Sequence, residues 1–263
     1  ELLARGLANV PEDPELQKIA VKCIMTLIGN WRSAAGDLKR DGITPSISAS
    51  YFASGLWAWD TWKQAVAVAR FHPEPAEESI RSMFHFQVAP DDPHRPQDDG
   101  MIIDCVFQKA DENNDRNSKP PLAAWAVWEV YKSSRNADFL AEMFPRLLKY
   151  HRWWYSVRDH DGNGIAEYGA TVHPAHVDHG AVIEAAAWES GMDNAPRFDG
   201  DYGIDVLENR DSQGTLVGYS LSQESVDLNA YLYAEKVYLA KIARELGREA
   251  DAAALEEDRK SVV

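Results

Sequence analysis

The chain has 263 residues, enough for one large domain or two small ones with a sizeable core. It is 45% hydrophobic and 26% charged, the composition of an ordinary soluble globular protein. Its net charge of −15 argues against nucleic acid and anionic membranes as partners, since both demand a Lys/Arg excess, and leaves a neutral sugar as a compatible ligand.

In chain order the elements read as helices joined by long connectors. Residues 14–30 carry Leu16, Ile19, Ala20, Cys23 and Leu27 at helical spacing, which makes Cys23 a small core residue of an amphipathic helix. A loop through Thr44-Pro45-Ser46 leads to Trp57-Ala58-Trp59-Asp60, which opens a helix running to about residue 71. Residues 77–87 predict the next helix, after Pro73 and Pro75. The stretch 90–118 is dense in Asp, Pro and Asn and reads as loop. Pro120 and Pro121 sit where a helix can start, and 122–131 is apolar nearly all round, so that helix should be buried. Residues 136–157 are helical, with Pro145 kinking or restarting the helix and Trp153 and Trp154 in the core. A second long polar loop follows. Within it His173, His176 and His179 are spaced by three across Pro174, which suits a loop better than a metal site. Leu228, Tyr231, Leu232, Leu239, Ile242 and Leu246 mark the last strong helix, stopped by Gly247, and a weaker one begins near Ala250. Strand signals are weak, so the expectation is an all-α chain. Its connectors exceed the usual length, which points to function.

Two cysteines, Cys23 and Cys105, give neither a disulfide framework nor a zinc spacing. No apolar run reaches the ~18 residues of a membrane span. There is no basic-then-apolar start that reads as a signal peptide; removal of an upstream export signal stays possible, and the compartment is open.

The segment Trp188-Glu189-Ser190-Gly191-Met192-Asp193-Asn194 carries the most chemistry. It places two carboxylates four positions apart, beside a Trp and separated by a Gly. Cleaving a sugar needs a carboxylic acid against an aromatic wall, because burial keeps the acid protonated until it meets the leaving oxygen. Nine Trp in the chain supply candidate surfaces for sugar stacking. A second motif is Asp159-His-Asp161-Gly-Asn163-Gly164-Ile165-Ala-Glu167, with oxygen donors at alternate positions around a Gly. It opens like an EF-hand loop, with side chains at positions 1, 3 and 5 and the Ile165 carbonyl at 7, but Ala170 stands where the bidentate Glu belongs. A plain Asp/Asn/Gly surface turn is the alternative.

Taken in order, Trp57-Ala-Trp-Asp60, Arg95-Pro-Gln-Asp98, Arg116-Asn-Ser-Lys-Pro-Pro121, Trp188-Glu-Ser-Gly-Met-Asp193 and Gln223-Glu-Ser-Val-Asp227 make the chain resemble glycoside hydrolase family 63 from roughly residue 50 to 247. It looks closest to the bacterial α-glucosidases of that family. The Glu-Ser-Gly-x-Asp element is also similar to that of the trehalases. The resemblance implies an (α/α)6 barrel that hydrolyses α-glycosidic bonds with inversion, by an acid and a base about 6.5–9.5 Å apart. It makes Asp193 the general acid, flanked by Trp188 and Met192, and Glu189 a substrate or orienting group. By the same resemblance Trp57, Trp59 and Asp60 line the glucose subsite, although Asp60 also suits a helix N-terminus. Gln97 and Asp98 would bind hydroxyls or shape a turn. Arg116 would bind substrate, as an Arg before Gln-Pro-Pro does in trehalases, or stabilise helix entry. Family 63 α-glucosidases hold a structural calcium at a loop matching 159–167, with a remote Glu that Glu224 matches here. The implied ligands are Asp159, Asp161, Asn163, Ile165, Glu167 and Glu224.

One departure stands out. The family's base is a Glu far downstream, whereas Glu256, Glu257 and Asp258 read as a solvated helix face. The expectation is therefore about half of such a barrel, the acid-bearing half. Its uncovered apolar surface would meet a missing C-terminal half or a second copy. The expected ligand is an α-linked glucoside or oligosaccharide. Alternatives are a non-catalytic sugar-binding or scaffold protein, a helical interaction module, a trehalase, or a glucosyl- or mannosylglycerate hydrolase.

Overall fold

The computed structural model describes residues 1–199 and 203–260. After the short helix α1 (Leu2–Leu7) comes α2 (Pro14–Gly29), which starts where Asp13 accepts from the backbone N–H groups of Glu15 and Leu16 at 2.9 and 3.0 Å, with Pro14 at its first position. Gly6 meets Ile24 so closely that a Cβ there would strike its side chain. The opposite face of α2 lies in solvent: Leu16 is 46% and Ile19 60% exposed, and Cys23 is exposed as well. Cys23 is therefore not a core residue. Helical spacing alone marks an apolar stripe, and α2 packs through Ile24 and Leu27 instead.

The helices α3 (Ala58–Ala69), α4 (Pro73–His85), α5 (Ala123–Ser134) and α6 (Ala137–Val157) form the body of the molecule. Helix α4 begins at Pro73, four residues earlier than the sequence suggested, because a proline is harmless in a first turn whose N–H groups have no helical partner. Helix α6 is capped by Asn136 and runs through Pro145 without restarting. Trp62, Phe84, Phe139, Phe144, Tyr150, Trp153 and Trp154 fill the space between these helices. Helix α7 (His179–Ser190) occupies part of the stretch expected to be loop, and α8 (Val226–Glu245) and α9 (Glu249–Lys260) close the chain as a pair.

The helical framework agrees with the expectation, but the connectors contain strands. β1 (Trp31–Arg32) pairs with β2 (Gly42–Ile43), and β3 (Gly55–Trp57) with β4 (Cys105–Phe107), both antiparallel. β5 (Glu167–Ala170), β6 (Val206–Arg210) and β7 (Leu216–Glu224) form a sheet in the order β5-β7-β6. Such ladders satisfy backbone groups that a buried connector would otherwise strand. The β3–β4 pair sets Trp57 opposite Cys105, and the three-stranded sheet sets Glu167 opposite Glu224. Among the described residues no helix is long and apolar enough to cross a membrane.

Candidate active site

Helix α7 delivers the Trp188–Asp193 segment. It stops at Ser190 because Gly191 adopts φ +68°, a left-handed conformation that lets its N–H close on the Trp188 carbonyl. The Ser190 hydroxyl donates to Ala187 O at 2.7 Å and accepts from Met192 N at 3.0 Å, tightening the turn. Asp193 and Asn194 then emerge exposed. The indole of Trp59, on the first turn of α3, lies against Gly191; a Cβ at 191 would come within 2.5 Å of its ring. Two motifs far apart in the sequence thus meet face to face.

An open groove of about 540 Å³ is lined by Trp188, Asp193 and Asn194 together with Phe198 and α7 residues. Asp60, half-buried at the start of α3, has its pKa raised, first by burial; Lys63 and Lys119 pull it down, and Asp193 pushes it up. Asp60, Asp193 and the two lysines therefore belong to one electrostatic neighbourhood. The Lys63 ammonium stands 3.4 Å from the centroid of the Trp59 ring. Lys119 is buried, with Nζ 3.3 Å from Asp104 Oδ1 and donating to the Trp188 carbonyl. Asp104 Oδ2 accepts from Asn114 and Asn117 at 2.8 and 3.2 Å, and burial lifts its pKa to about 6. Asp104 was missed in the sequence, although a lone charge inside the apolar run 101–107 was a signal for it.

The other expected site residues are held by protein partners. Glu189 is fully enclosed, and four donors occupy its carboxylate: Arg158 Nε at 2.9 Å and Nη2 at 3.0 Å, Ser118 N at 3.0 Å and Gly169 N at 2.7 Å. Its acceptor capacity is taken up by protein donors, and the carboxylate ties α7 to the backbone at residues 118 and 169 and to Arg158. Trp57 is buried in an aromatic cluster with Tyr51, Phe52 and Phe107. Asp98 is fully buried, accepts from Trp153 Nε1 at 3.0 Å, and leaves Oδ2 without a hydrogen bond; its neighbour Gln97 is half-buried. Arg116 lies across the Trp188 ring, 4.4 Å from its centroid, with Nε on Asn114 Oδ1 at 3.0 Å. His173 faces Asp115 at 3.4 Å and meets His176 edge-on, ring centroids 5.7 Å apart; His176 Nδ1 meets Thr171 O at 2.7 Å, and His179 opens α7.

The 159–167 loop folds on its own carboxylates. Asp159 accepts from Asn163 N at 3.0 Å and Gly164 N at 2.9 Å; Asn163 Nδ2 reaches Asp161 and Glu224 at 3.2 and 3.1 Å; and Ile165 N donates to Asn163 Oδ1. The pKa of Glu167 is raised to about 7, chiefly by burial and further by Asp159 and Asp161. No Lys or Arg among the described residues pairs with any of these acids. The donor set is all oxygen, with carboxylates at Asp159, Asp161, Glu167 and Glu224 and neutral oxygens at Asn163 and Ile165, which fits calcium chemically. As they stand, no three Asp, Glu, His or Cys side chains among the described residues converge closely enough to hold a metal.

A family model described as the mannosylglycerate hydrolase MGH1-like glycoside hydrolase domain matches residues 53–262. Mannosylglycerate hydrolase MGH2 of Selaginella moellendorffii is 29% identical over 163 residues, covering 54% of this chain and 28% of that protein. The mannosylglycerate hydrolase of Rubrobacter radiotolerans is 27% identical over 205 residues, covering 72% and 40%. The fold is similar to that of the GH63 mannosylglycerate hydrolase from Thermus thermophilus in complex with Tris and D-glycerate, at a TM-score of 0.64 and 19% identity over 92% of this chain and 63% of that one. The chain spans less than half the length of the curated relatives it matches.

Proposed function

The chain belongs to the MGH1-like glycoside hydrolase family within glycoside hydrolase family 63, and from that premise we propose that it bears the general acid of an inverting hydrolase of α-linked glucosides or oligosaccharides. In this reading Asp193 protonates the leaving oxygen, with Trp188 as the aromatic wall. Trp59 and Asp60 hold the sugar from α3, while Lys63 and Lys119 balance the charge of the two carboxylates. The helical hairpins would be part of an (α/α)6 barrel. Inversion further calls for a base about 6.5–9.5 Å from the acid; none is assigned here.

The observation that carries the reading is the sharing of one groove by Asp193 and Trp188, within electrostatic reach of Asp60. In the full-length protein Asp193→Asn should lower hydrolysis of α-glucosides by at least ~10²-fold, the range of general-acid catalysis, while sugar binding by calorimetry persists. Undiminished turnover would remove Asp193 from the mechanism. A second reading within the class, hydrolysis of glucosyl- or mannosylglycerate, is favoured by the names of the relatives, and a substrate panel separates it from trehalose and glucoside hydrolysis. We also propose that Asp159, Asp161, Asn163, the Ile165 carbonyl, Glu167 and Glu224 take a structural calcium. Support comes from their shared oxygen chemistry and from the four carboxylates having no Lys or Arg ion-pair partner among the described residues.

A further inference from the structure

Asp193 and Asn194 are the middle residues of a tight turn, closed by Ala195 N donating to Met192 O at 2.8 Å. Upstream, Gly191 and the Ser190 hydroxyl fasten this turn to α7. Downstream it runs into Pro196–Phe198, and there the motif Gln223-Glu-Ser-Val-Asp227 takes hold of it. Arg197 Nη1 and Nη2 donate to Asp227 Oδ1 and Oδ2 at 2.9 and 3.0 Å, a two-pronged pair. Gln223 Nε2 donates to the Arg197 carbonyl at 3.3 Å, and the Tyr168 hydroxyl donates to Asp227 Oδ2 at 3.3 Å. The guanidinium lies over the Tyr168 and Phe198 rings, 5.6 and 4.9 Å from their centroids. Asp227 stands in the first turn of α8, where unbonded N–H groups favour a carboxylate. Ala195 and Phe198 line the groove beside Asp193, while the head of Arg197 is turned onto β5 and α8. The paired side chains are 27% and 22% exposed, so the pair adds little to stability. Its two-pronged geometry nevertheless fixes a direction, and a proton donor is sensitive to direction: a misplacement of about 1 Å can cost on the order of 10²-fold in rate.

We infer that Arg197 and Asp227 are positioning residues for the reaction: with Gln223 they hold the far end of the Asp193 turn against the start of α8, and so aim the Asp193 carboxyl at the leaving oxygen. This rests on the reading of Asp193 as general acid and gives neither residue a contact with substrate. The turn is then fastened at both ends, by Gly191 to α7 and by Arg197 to α8. Cutting the second fastening leaves the groove in place and spoils the aim.

The test places Arg197→Lys, Asp227→Asn and the double variant beside Asp193→Asn, all in the full-length protein, on two substrates that differ in leaving group. One is the glycoside of an alcohol that the substrate panel shows to be turned over best; the other is the α-glycosyl fluoride of the same sugar. The alcohol's oxygen must gain a proton as its bond to the sugar breaks, whereas fluoride departs as the anion and depends far less on a proton donor. Arg197→Lys keeps the charge and loses the fork. On the alcohol glycoside each single variant should lower kcat at least about tenfold with KM within about twofold, and on the fluoride kcat should fall less than about threefold. The double variant should cost no more than the worse single, as partners acting through one contact do. Equal losses on the two substrates, losses confined to KM, or additive losses overturn the inference. Where one single variant fails to fold, the other decides by the same comparison. Asp193→Asn separates the two levels: if it spares the fluoride and the pair variants do not, the acid stands and the clamp falls, and if it loses both substrates equally, the acid reading fails and the clamp with it.

Discussion

Glu189 and Arg158 form a two-pronged ion pair from which solvent is excluded: Oε2 accepts from Nε at 2.9 Å, Oε1 accepts from Nη2 at 3.0 Å, and both side chains are 0% exposed. The remaining acceptor capacity of Glu189 is spent on the Ser118 and Gly169 amides. Removing one partner of a buried pair strands the other charge, at a cost of about 3–5 kcal/mol. Glu189→Ala should therefore lower the melting temperature by roughly 10 °C in a thermal scan of the protein. A shift below about 2 °C would mean that water reaches Arg158, against the enclosure described above.

Gly191 is held at positive φ with the Trp59 ring on its open side. Gly191→Ala meets two obstacles, the left-handed backbone, which costs about 1–2 kcal/mol for an L-residue, and the indole, which must move. We expect lower stability together with a raised KM for sugar, and a changed Trp emission spectrum on mutation. Stability loss with unaltered KM would separate Trp59 from the sugar subsite.

Asp104 sets a pH dependence. Burial raises its pKa to about 6, above the usual carboxylate range near 4. Between about pH 4 and pH 6 the folded chain keeps a proton that the unfolded chain has released. This group's contribution to stability is therefore complete below about pH 4 and is lost as pH rises through about 6. Asp104→Asn removes the titration, so the drop in unfolding free energy between those limits should be smaller in the variant by about 2–3 kcal/mol. Urea titrations at the two pH values measure it, and parallel behaviour of the two proteins would contradict the assignment.

A calcium held by the 159–167 loop and Glu224 predicts metal-dependent stability. Calcium at about a hundred times its dissociation constant should add about 2.7 kcal/mol, removed by EDTA and restored by calcium but not by equal ionic strength of sodium. Asp159→Ala should abolish the response. A melting temperature indifferent to EDTA and to added calcium would leave the loop a self-satisfied turn, bonded as its Asn163 contacts already are.

Much of this architecture could be read from the chain. Helices α3, α5, α6 and α8 were legible in the chain, α8 from its periodic apolar residues and α5 from an apolar run behind Pro120 and Pro121, and Trp153 and Trp154 were expected in the core, where they are 1% and 0% exposed. Helix α7 escaped because Ala181, Ala185, Ala186 and Ala187 give it no preferred apolar face, and because it follows a His-rich turn. Cys23 misled for the opposite reason: α2 has apolar residues on two sides and buries one. The motif residues were found, but their roles depended on partners that spacing does not reveal. Glu189 reads as a site carboxylate until Arg158 is seen against it, and Arg158 is an isolated residue at the end of α6. The short strands of the β3–β4 ladder pair across about 50 residues of chain, beyond the reach of local pattern.

The four donors on one carboxylate have a kinetic consequence. Ser118, Arg158 and Gly169 stand 71, 31 and 20 positions from Glu189 along the chain. Until α7 docks, none of the three has its acceptor, and loop-closure entropy opposes gathering them. The connectors around residues 118 and 169 must then reach their final form in the same event as the docking of α7. Their amides should exchange with solvent as one cooperative unit, so the groove is either fully assembled or absent, with no half-built intermediate.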